Sequence, residues 1–593
     1  MFKLPLYSGA EKLSDEERNR LHGTDSLPLK VSIRSFFKIL KPYWTSRDSL
    51  FSWFLLFVII SLTAGSIWLA TVFNSWYKEF WDAIQNYDLD GFKYQLMIFV
   101  ILASIHVVVS VYNAYLRSCL VIRWRRWFTD KVMGEWLADS SYYKMQLQDR
   151  QTENPDQRIS EDLNSFISST LARLLGTATD IATLITFSVV LWDLSRSVTF
   201  DIFGHSITVP DGYMLYLAIL YAVIGTVITF ILGKPLVKLN FRQQRYEADF
   251  RFSLIRVREN SESISLYKGE EEENRNLRER FRYVVDNFVR QIKYEKRLGF
   301  FTLGYAQTAV IFPILIAAPM YFAKVITMGS IMQINSAFSR VQDSLSTLID
   351  NFSSWAYFKA VIDRLALYFD SMDQSLEVKC LEPKSEGQNF VAEHVEVRLP
   401  QGGVLCKDAS FTLSAGDRLL IRGHSGCGKS SLIKTIAGIW PYSSGQVTFP
   451  EHAYELFLSQ KPYLPQGSLR NAAGYPGEAE HEGRTETYFK ALGLGHLVKR
   501  LDEDNLWDHI LSLGEQQRVA IVRALLLKPK VLFLDEATSA LDEKTELTSY
   551  TLISEELKDS IIVSVGHRSS LISLHNKSLI CKSADNWQLS VSN

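Results

Sequence analysis

The sequence predicts an all-α membrane domain of six helices followed by an α/β P-loop domain. Three observations predict it. Uncharged runs of bilayer length recur before residue 370. A polar stretch without periodicity follows at 371–389, and from 390 to 593 short β-branched runs alternate with helical ones. Within that second half, the apolar run Asp417–Ile421 leads at once into Gly423-His424-Ser425-Gly426-Cys427-Gly428-Lys429-Ser430, which is GxxxxGK[ST] between a strand and a helix.

Composition narrows the class further. The chain has 593 residues, 47% hydrophobic and 22% charged, with a formal net charge of -1. That excludes a disordered chain and a nucleic-acid binder relying on global positive charge. A mean hydropathy near zero is the average of a very apolar half and a charged half. The five cysteines (Cys119, Cys380, Cys406, Cys427, Cys581) form no CxxC pair. Neither a disulfide framework nor a thiolate zinc site is indicated, which suits a reducing compartment.

In chain order, residues 1–48 form a polar N-terminal segment without the apolar core and small-residue cleavage site of a signal peptide. Within it, Ser32–Trp44 mixes Phe, Ile, Leu and Trp with Arg and Lys, as an interfacial helix does. A span needs about 20 residues at 1.5 Å each. The membrane domain, 49–370, supplies Ser49–Tyr77, Tyr94–Leu116, Leu174–Trp192 with Asp180, Gly212–Gly233, Leu298–Ala323, and Val325–Trp355 with Arg340, Asp343 and Asp350. Arg117–Arg173 carries nine Lys and Arg and Lys234–Arg297 sixteen, against two in Lys78–Lys93 and one in Asp193–Asp211. The second and fourth connections, and with them both termini, are therefore expected in the cytoplasm. Both basic connections are rich in helix formers and are expected to prolong the membrane helices.

In the P-loop domain, the glycines let backbone N–H groups turn toward phosphate oxygens at a helix N-terminus. Lys429 is placed to neutralise the β/γ-phosphates, Ser430 to offer an oxygen to Mg²⁺, and Ser431 continues the helix. Downstream, Val531–Glu536 reads as a buried strand ending in two acids. Asp535 is suited to hold Mg²⁺ through water, and Glu536 to accept a proton from an attacking water. Cys427, with no charged neighbour evident in the sequence, reads as a small residue tolerated inside the loop.

These motifs sit among others that together resemble the ABC (ATP-binding cassette) transporters. Leu511-Ser512-Leu513-Gly514-Glu515-Gln516-Gln517-Arg518 resembles the family's signature. Gln460 resembles the Q-loop glutamine, Ser539-Ala540-Leu541-Asp542 the D-loop, and His567 the switch histidine. The resemblance implies an exporter-like (type IV) fold, ATP with Mg²⁺, catalytic roles for Glu536, His567 and Gln460, and Gln460 as a further metal ligand. It also implies two cassettes that sandwich ATP, so Ser512 and Gly514 would meet nucleotide held by a second chain, most simply a second copy. Two positions depart from the pattern: Leu513 stands where most cassettes have Gly, and Leu399 where many stack an aromatic on adenine.

Asn154-Pro155-Asp156-Gln157-Arg158-Ile159 and Glu259–Gly269, in the two basic connections, look like motifs of subfamily D, the peroxisomal long-chain acyl-CoA transporters, and of the bacterial SbmA/BacA-like and YddA-type proteins. Short helices in these connections are expected to dock on the cassette and transmit its closure. The expectation is an ATP-driven transporter of the bacterial cytoplasmic (inner) membrane, embedded in the lipid bilayer and moving a peptide-like or amphipathic, hydrophilic solute. Alternatives are a proton-coupled peptide importer with a regulatory ATPase, a long-chain acyl-CoA or fatty-acid transporter, and a membrane-tethered ATPase. Asp180, Arg340, Asp343 and Asp350 are candidates to line a substrate path, since charge inside a membrane is costly unless it faces water or a partner. His106 in the second span reads as a packing histidine.

Overall fold

The computed structural model describes residues 27–148, 154–195, 198–202, 205–350, 352–477, 483–584 and 586–591. The chain divides into two compact units: one of residues 1–134 and 154–370, the other of 135–153 and 371–593.

The first unit is helical. α1 (Leu29–Trp44) is amphipathic, burying Ser32, Ser35, Ile39 and Tyr43 at three- and four-residue spacing. Then come α2 (Ser49–Gln85) and α3 (Leu89–Leu137), and, after α4 (Ser141–Gln148) in the other unit, α5 (Leu163–Leu194). Two antiparallel strands, β1 (Val198–Ile202) and β2 (His205–Val209), pair within the Asp193–Asp211 connection, for which the sequence supplies only a charge count. α6 (Tyr213–Glu259), the short α7 (Ser261–Tyr267), α8 (Glu270–Phe322), α9 (Met328–Asp350) and α10 (Phe352–Glu377) follow. At 1.5 Å per residue α6 is about 70 Å long, more than twice a bilayer's ~30 Å core. The apolar stretches therefore run on without a break into their basic continuations, as expected.

Five helices among the described residues are long and apolar enough to cross a membrane: Ser49–Gln85, Leu89–Leu147, Pro155–Leu194, Tyr213–Glu259 and Glu270–Phe322. The sixth expected span falls on α9 and the start of α10. At about 35 Å α9 has the length, but Arg340, Asp343, Asp350 and its hydroxyl residues keep it less apolar than the other five. It buries one face, Ile331, Ile334, Phe338 and Val341, against Phe187 and Leu191 of α5 and Met214 of α6.

In the second unit, α10 continues through Ser371–Glu377, where the sequence pattern predicts linker. Met372 is fully buried there, and Ser375 lies 2.6 Å from Ser141, hydroxyl to hydroxyl, beside α4. Lys144 of α4 donates to the Val378 carbonyl at 3.3 Å, and Leu147 packs on the cassette core. Two sheets follow. β3 (Lys384–Ser385), β4 (Phe390–Arg398), β5 (Val404–Leu413) and β7 (Ser443–Phe449) form one, in the order β3-β7-β4-β5. The other runs β12-β11-β6-β10-β9-β8, from β6 (Arg418–Gly423), β8 (Glu455–Leu458), β9 (Val531–Asp535), β10 (Ile561–Val565), β11 (Lys577–Ser583) and β12 (Asn586–Val591). Strands β11 to β8 are parallel, so their carboxyl ends share one edge. Val531–Leu534 of β9 are fully buried, which is why that strand is a continuous apolar run rather than an alternating one.

Candidate nucleotide site

Strand order places the chemistry. In register, Val565 of β10 sits opposite Ile421 of β6 on one side and Asp535 of β9 on the other. The loop after Gly423, the turn at Glu536 and the segment leading to His567 therefore leave the sheet at one edge, where open α/β sheets bind ligands. The loop closes tightly before α11 (Lys429–Ile436). Gly428 has φ +100°, and a Cβ there would lie 2.9 Å from the Leu405 Cβ; at Gly423 a Cβ would meet the Cys427 sulfur at 2.7 Å. Only glycine fits either position. His424, Ser425 and Gly426 form the exposed crest of the loop, and Ser431 lies half-buried on the helix.

Lys429 is almost wholly buried and donates back to the carbonyls of Gly423 and His424 at 3.1 and 3.0 Å, its ammonium 3.9 Å from the Cys427 sulfur. Cys427 thus has Lys429, two residues on in the same loop, as a charged neighbour, contrary to the expectation of none. The Ser430 hydroxyl donates to Asp535 at 2.9 Å, 105 residues away. Burial pushes the Asp535 carboxyl above the usual carboxylate range, the Ser430 hydrogen bond opposes this, and the neighbouring Glu536 reinforces it. Glu536 has φ +50°, its N–H donates to the Val565 carbonyl at 3.2 Å, and its carboxylate lies 3.3 Å from the His567 Nε2.

The structure thus gathers Gly423 to Ser431, Asp535, Glu536 and His567. The Gln460 backbone joins them indirectly: its carbonyl accepts from Gln517 at 2.8 Å, while its side chain is exposed and makes no hydrogen bond among the described residues. Ser512 caps α12 (Leu513–Leu527) in a reciprocal box with Glu515, and a Cβ on Gly514 would approach the Ala540 carbonyl at 3.1 Å. Among the described residues no hydrogen bond joins Ser512 or Gly514 to the phosphate loop. Leu513 is exposed at the helix start, and Leu399 closes the β4–β5 turn through its N–H to the Gly403 carbonyl.

Sequence reading names Gln517 only as part of the signature and does not single out Glu546 or Arg568, yet these residues hold the parts together. Gln517, fully buried, donates to both the Gln460 carbonyl and the Ser539 hydroxyl, and accepts from the Ala540 N–H at 3.0 Å. It ties the Q-loop to the D-loop. Buried Glu546 accepts from Thr538 at 2.7 Å and pairs with Arg568 at 3.3 Å, and Arg568 also donates to the Ser539 carbonyl, fixing the residue after His567 to the D-loop. An acid three residues into a helix gives no such signal in the sequence.

A family model described as "ABC transporter" matches residues 406–539, and one described as "ABC transporter transmembrane region 2" matches 37–322. The inner membrane ABC transporter ATP-binding protein YddA of Escherichia coli is 31% identical, over 93% of this chain and 98% of its own. This chain belongs to the ABC transporter family. ABC transporter D family member 2, chloroplastic, of Arabidopsis thaliana is 33% identical over 95% of this chain and 88% of its own. A solved bacterial Atm1-family ABC exporter with ATP bound shares the fold, with TM-score 0.69 at 16% identity over 91% of this chain and 95% of that one. The protein is therefore a transmembrane ABC half-transporter related to subfamily D, and its cassette is an ATP-binding, transport-coupled ATPase domain.

Of the membrane candidates, Asp180 is half-buried on α5, Arg340 and Asp343 are exposed on α9, and the Asp350 side chain lies outside the described residues. No ion pair joins Asp180, Arg340 or Asp343 to one another among the described residues. His106 is exposed on α3, 3.4 Å from the Ser110 hydroxyl and edge-on to Phe73. It packs on the ring of one neighbour and shares a hydrogen bond with another. The subfamily D motifs are both placed within the helical unit. Asn154 adopts φ +58° ahead of Pro155, and Arg158 pairs with Asp162 at 2.7 Å. Glu259–Gly269 contains α7, whose Leu266 and Tyr267 are exposed.

Proposed function

We propose that this chain works as a homodimer in the bacterial inner membrane and uses MgATP hydrolysis to move a peptide-like or amphipathic, hydrophilic solute across the bilayer. The observation that carries the reading is the pairing of Ser430 with Asp535 and of Glu536 with His567 at one sheet edge, in a chain with five bilayer-length helices. Two convergent oxygens suit Mg²⁺, which takes few protein ligands and completes its shell with phosphates and water. In this reading Ser430 and Asp535 would hold the cation, which would supply positive charge to the nucleotide phosphates. Lys429 turns from its own loop carbonyls to the phosphates, Glu536 takes the proton of the attacking water, and His567 holds Glu536 in place. Gln460 joins once its side chain turns inward.

Ser512 and Gly514, at a helix start with no hydrogen bond to this chain's phosphate loop, are offered to nucleotide on the second copy. Homology to an inner membrane protein supports the location. Movement at the cassette has a covalent route to the membrane helices, since residues 135–148, which include the end of α3 and α4, belong to the cassette's unit. The test is accumulation of a labelled proline-rich peptide in cells lacking other uptake routes, comparing wild type, Glu536→Gln and empty vector. Altered peptide content in wild type alone supports the reading, and its sign gives the direction. Equal accumulation in wild type and Glu536→Gln, above vector, overturns it in favour of another gradient.

A further inference from the structure

We infer that the cavity between α6, α8 and α9 is a subsite for a cationic amine or guanidinium group of the transported solute, with Asp343 as its counter-charge. The inference rests on the transporter reading above. The cavity measures about 180 Å³, and its polar lining is Thr226 and Thr229 of α6, Thr302 of α8, and Gln342, Asp343 and Ser346 of α9. All lie on stretches expected to sit in the membrane.

The wall between α6 and α8 is built rather than incidental. Tyr221 and Tyr305 stack with centroids 4.4 Å apart, and each phenol donates to the other's backbone carbonyl, at 2.6 and 3.0 Å. Gly225 makes this possible: a Cβ there would lie 2.3 Å from the Tyr305 ring. Both carbonyl bonds draw on oxygens that helical pairing uses only once, so the ring pair fixes the two helices without unmaking either.

The lining chemistry selects the ligand. Among the described residues it contains one carboxylate and no Lys, Arg or His. Arg340, one turn before Asp343 on α9, acts on the Asp343 carboxylate through space, but no ion pair within 4 Å reaches that carboxylate among the described residues. The Thr302 hydroxyl already donates to the Gly299 carbonyl at 3.3 Å, so its oxygen faces outward as an acceptor. A carboxylate beside the Thr302 acceptor oxygen and the adaptable hydroxyl and amide groups of Thr226, Thr229, Gln342 and Ser346 suits an N–H-rich cation and disfavours an anionic headgroup or carboxylate. The space is comparable to the ~150 Å³ that accepts a benzene-sized molecule, so it admits one amine- or guanidinium-bearing side chain and is too roomy for a bare metal ion with a single carboxylate ligand.

The test uses the full chain in lipid nanodiscs without ATP. N-acetyl-Ala-Arg-Ala-amide and its citrulline counterpart, which has the same shape but no charge, are titrated calorimetrically. Wild type is expected to prefer the arginine peptide by about tenfold or more, the scale of a charge-assisted hydrogen bond. Asp343→Asn is expected to bring the two within about twofold, and Asp343→Glu to keep the preference. Equal binding of both peptides to wild type, or binding of neither, overturns the inference even if Asp343→Asn does not fold. A preference that survives Asp343→Asn also overturns it. Because binding is read without hydrolysis, loss of the preference leaves the ATP-driven reading intact, whereas Glu536→Gln transporting like wild type removes that reading and leaves this one standing.

Discussion

Arg364 lays its guanidinium fork on both oxygens of Asp162, Nη2 to Oδ1 at 2.6 Å and Nε to Oδ2 at 2.9 Å. Arg158 adds a third charged bond to the same carboxylate at 2.7 Å. The bonds tie the start of the α5 region to α10, 202 residues later in the chain. They also give the Asn154–Ile159 motif a physical role: its arginine helps to neutralise an acid that is nearly inaccessible to water. Removing the acid leaves two guanidinium groups without their anion. Breaking a fully buried pair costs about 3–5 kcal/mol, and Arg364, one-third exposed, recovers part of this through water. Asp162→Asn should lower the apparent melting temperature of the purified protein by several degrees. An unchanged midpoint would show that the cluster does not hold α10.

Gln517 should matter for turnover more than for affinity. Its amide reaches the Gln460 carbonyl and the Ser539 hydroxyl, and its oxygen takes the Ala540 N–H, so a single side chain sets the spacing of two loops flanking the nucleotide edge. Small displacements of positioned groups cost up to about a hundredfold in rate. Gln517→Leu keeps the volume and loses every one of these bonds. Phosphate release should fall by roughly ten- to a hundredfold while nucleotide affinity changes little. A loss of affinity with preserved maximal rate would place Gln517 in binding instead.

Asp535 makes the cassette sensitive to acid in a defined sense. Burial holds its carboxyl above the ordinary ~3.9, so in the absence of a cation the proton competes unusually well. Cation binding needs the ionised form. MgATP affinity should therefore be complete above the raised value and decline as pH falls through it, beginning at a higher pH than an unperturbed aspartate would allow. Asp535→Asn should bind MgATP more weakly and lose this dependence. Retention of the same acid limb in Asp535→Asn, read by nucleotide titration at stepped pH, would assign the effect to another group.

The cassette was legible in the sequence because its function is written in local spacing. A glycine loop must adopt φ values that few other residues reach, and a fully buried parallel strand must be apolar throughout, so Gly423–Ser430 and Val531–Glu536 announce themselves. The membrane helices were legible for the same reason, since bilayer thickness imposes a run length. What stayed hidden depends on partners distant in sequence. Gln517, Glu546 and Arg364 are ordinary polar residues until their neighbours are known. The helical start of the expected linker, Ser371–Glu377, is polar by composition and is ordered by α4 from 234 residues upstream. The paired strands Val198–Ile202 and His205–Val209 were not predicted, because five-residue strands between charged and turn residues look like loop.

Gly225 and Tyr305 supply the sharpest test of how the membrane helices pack. Gly225→Ala adds a single carbon, and that carbon would lie 2.3 Å from Tyr305 Cζ and 2.6 Å from its hydroxyl oxygen. The ring cannot slide aside freely, because it is stacked on Tyr221 and its hydroxyl donates to the Tyr221 backbone carbonyl, while the Tyr221 hydroxyl donates to the Tyr305 carbonyl. Either the helices part or the Tyr pair breaks, and overpacking of this kind costs about 1–3 kcal/mol. Helix propensity pulls the other way, since alanine is favoured over glycine within a helix by about 1 kcal/mol. The clash should win while Tyr305 is present and vanish once it is removed. Gly225→Ala should lower the apparent melting temperature, whereas Gly225→Ala placed on a Tyr305→Ala background should raise it relative to Tyr305→Ala alone. That reversal of sign is what a direct contact requires. Equal shifts in the two backgrounds would mean that the glycine serves some other neighbour.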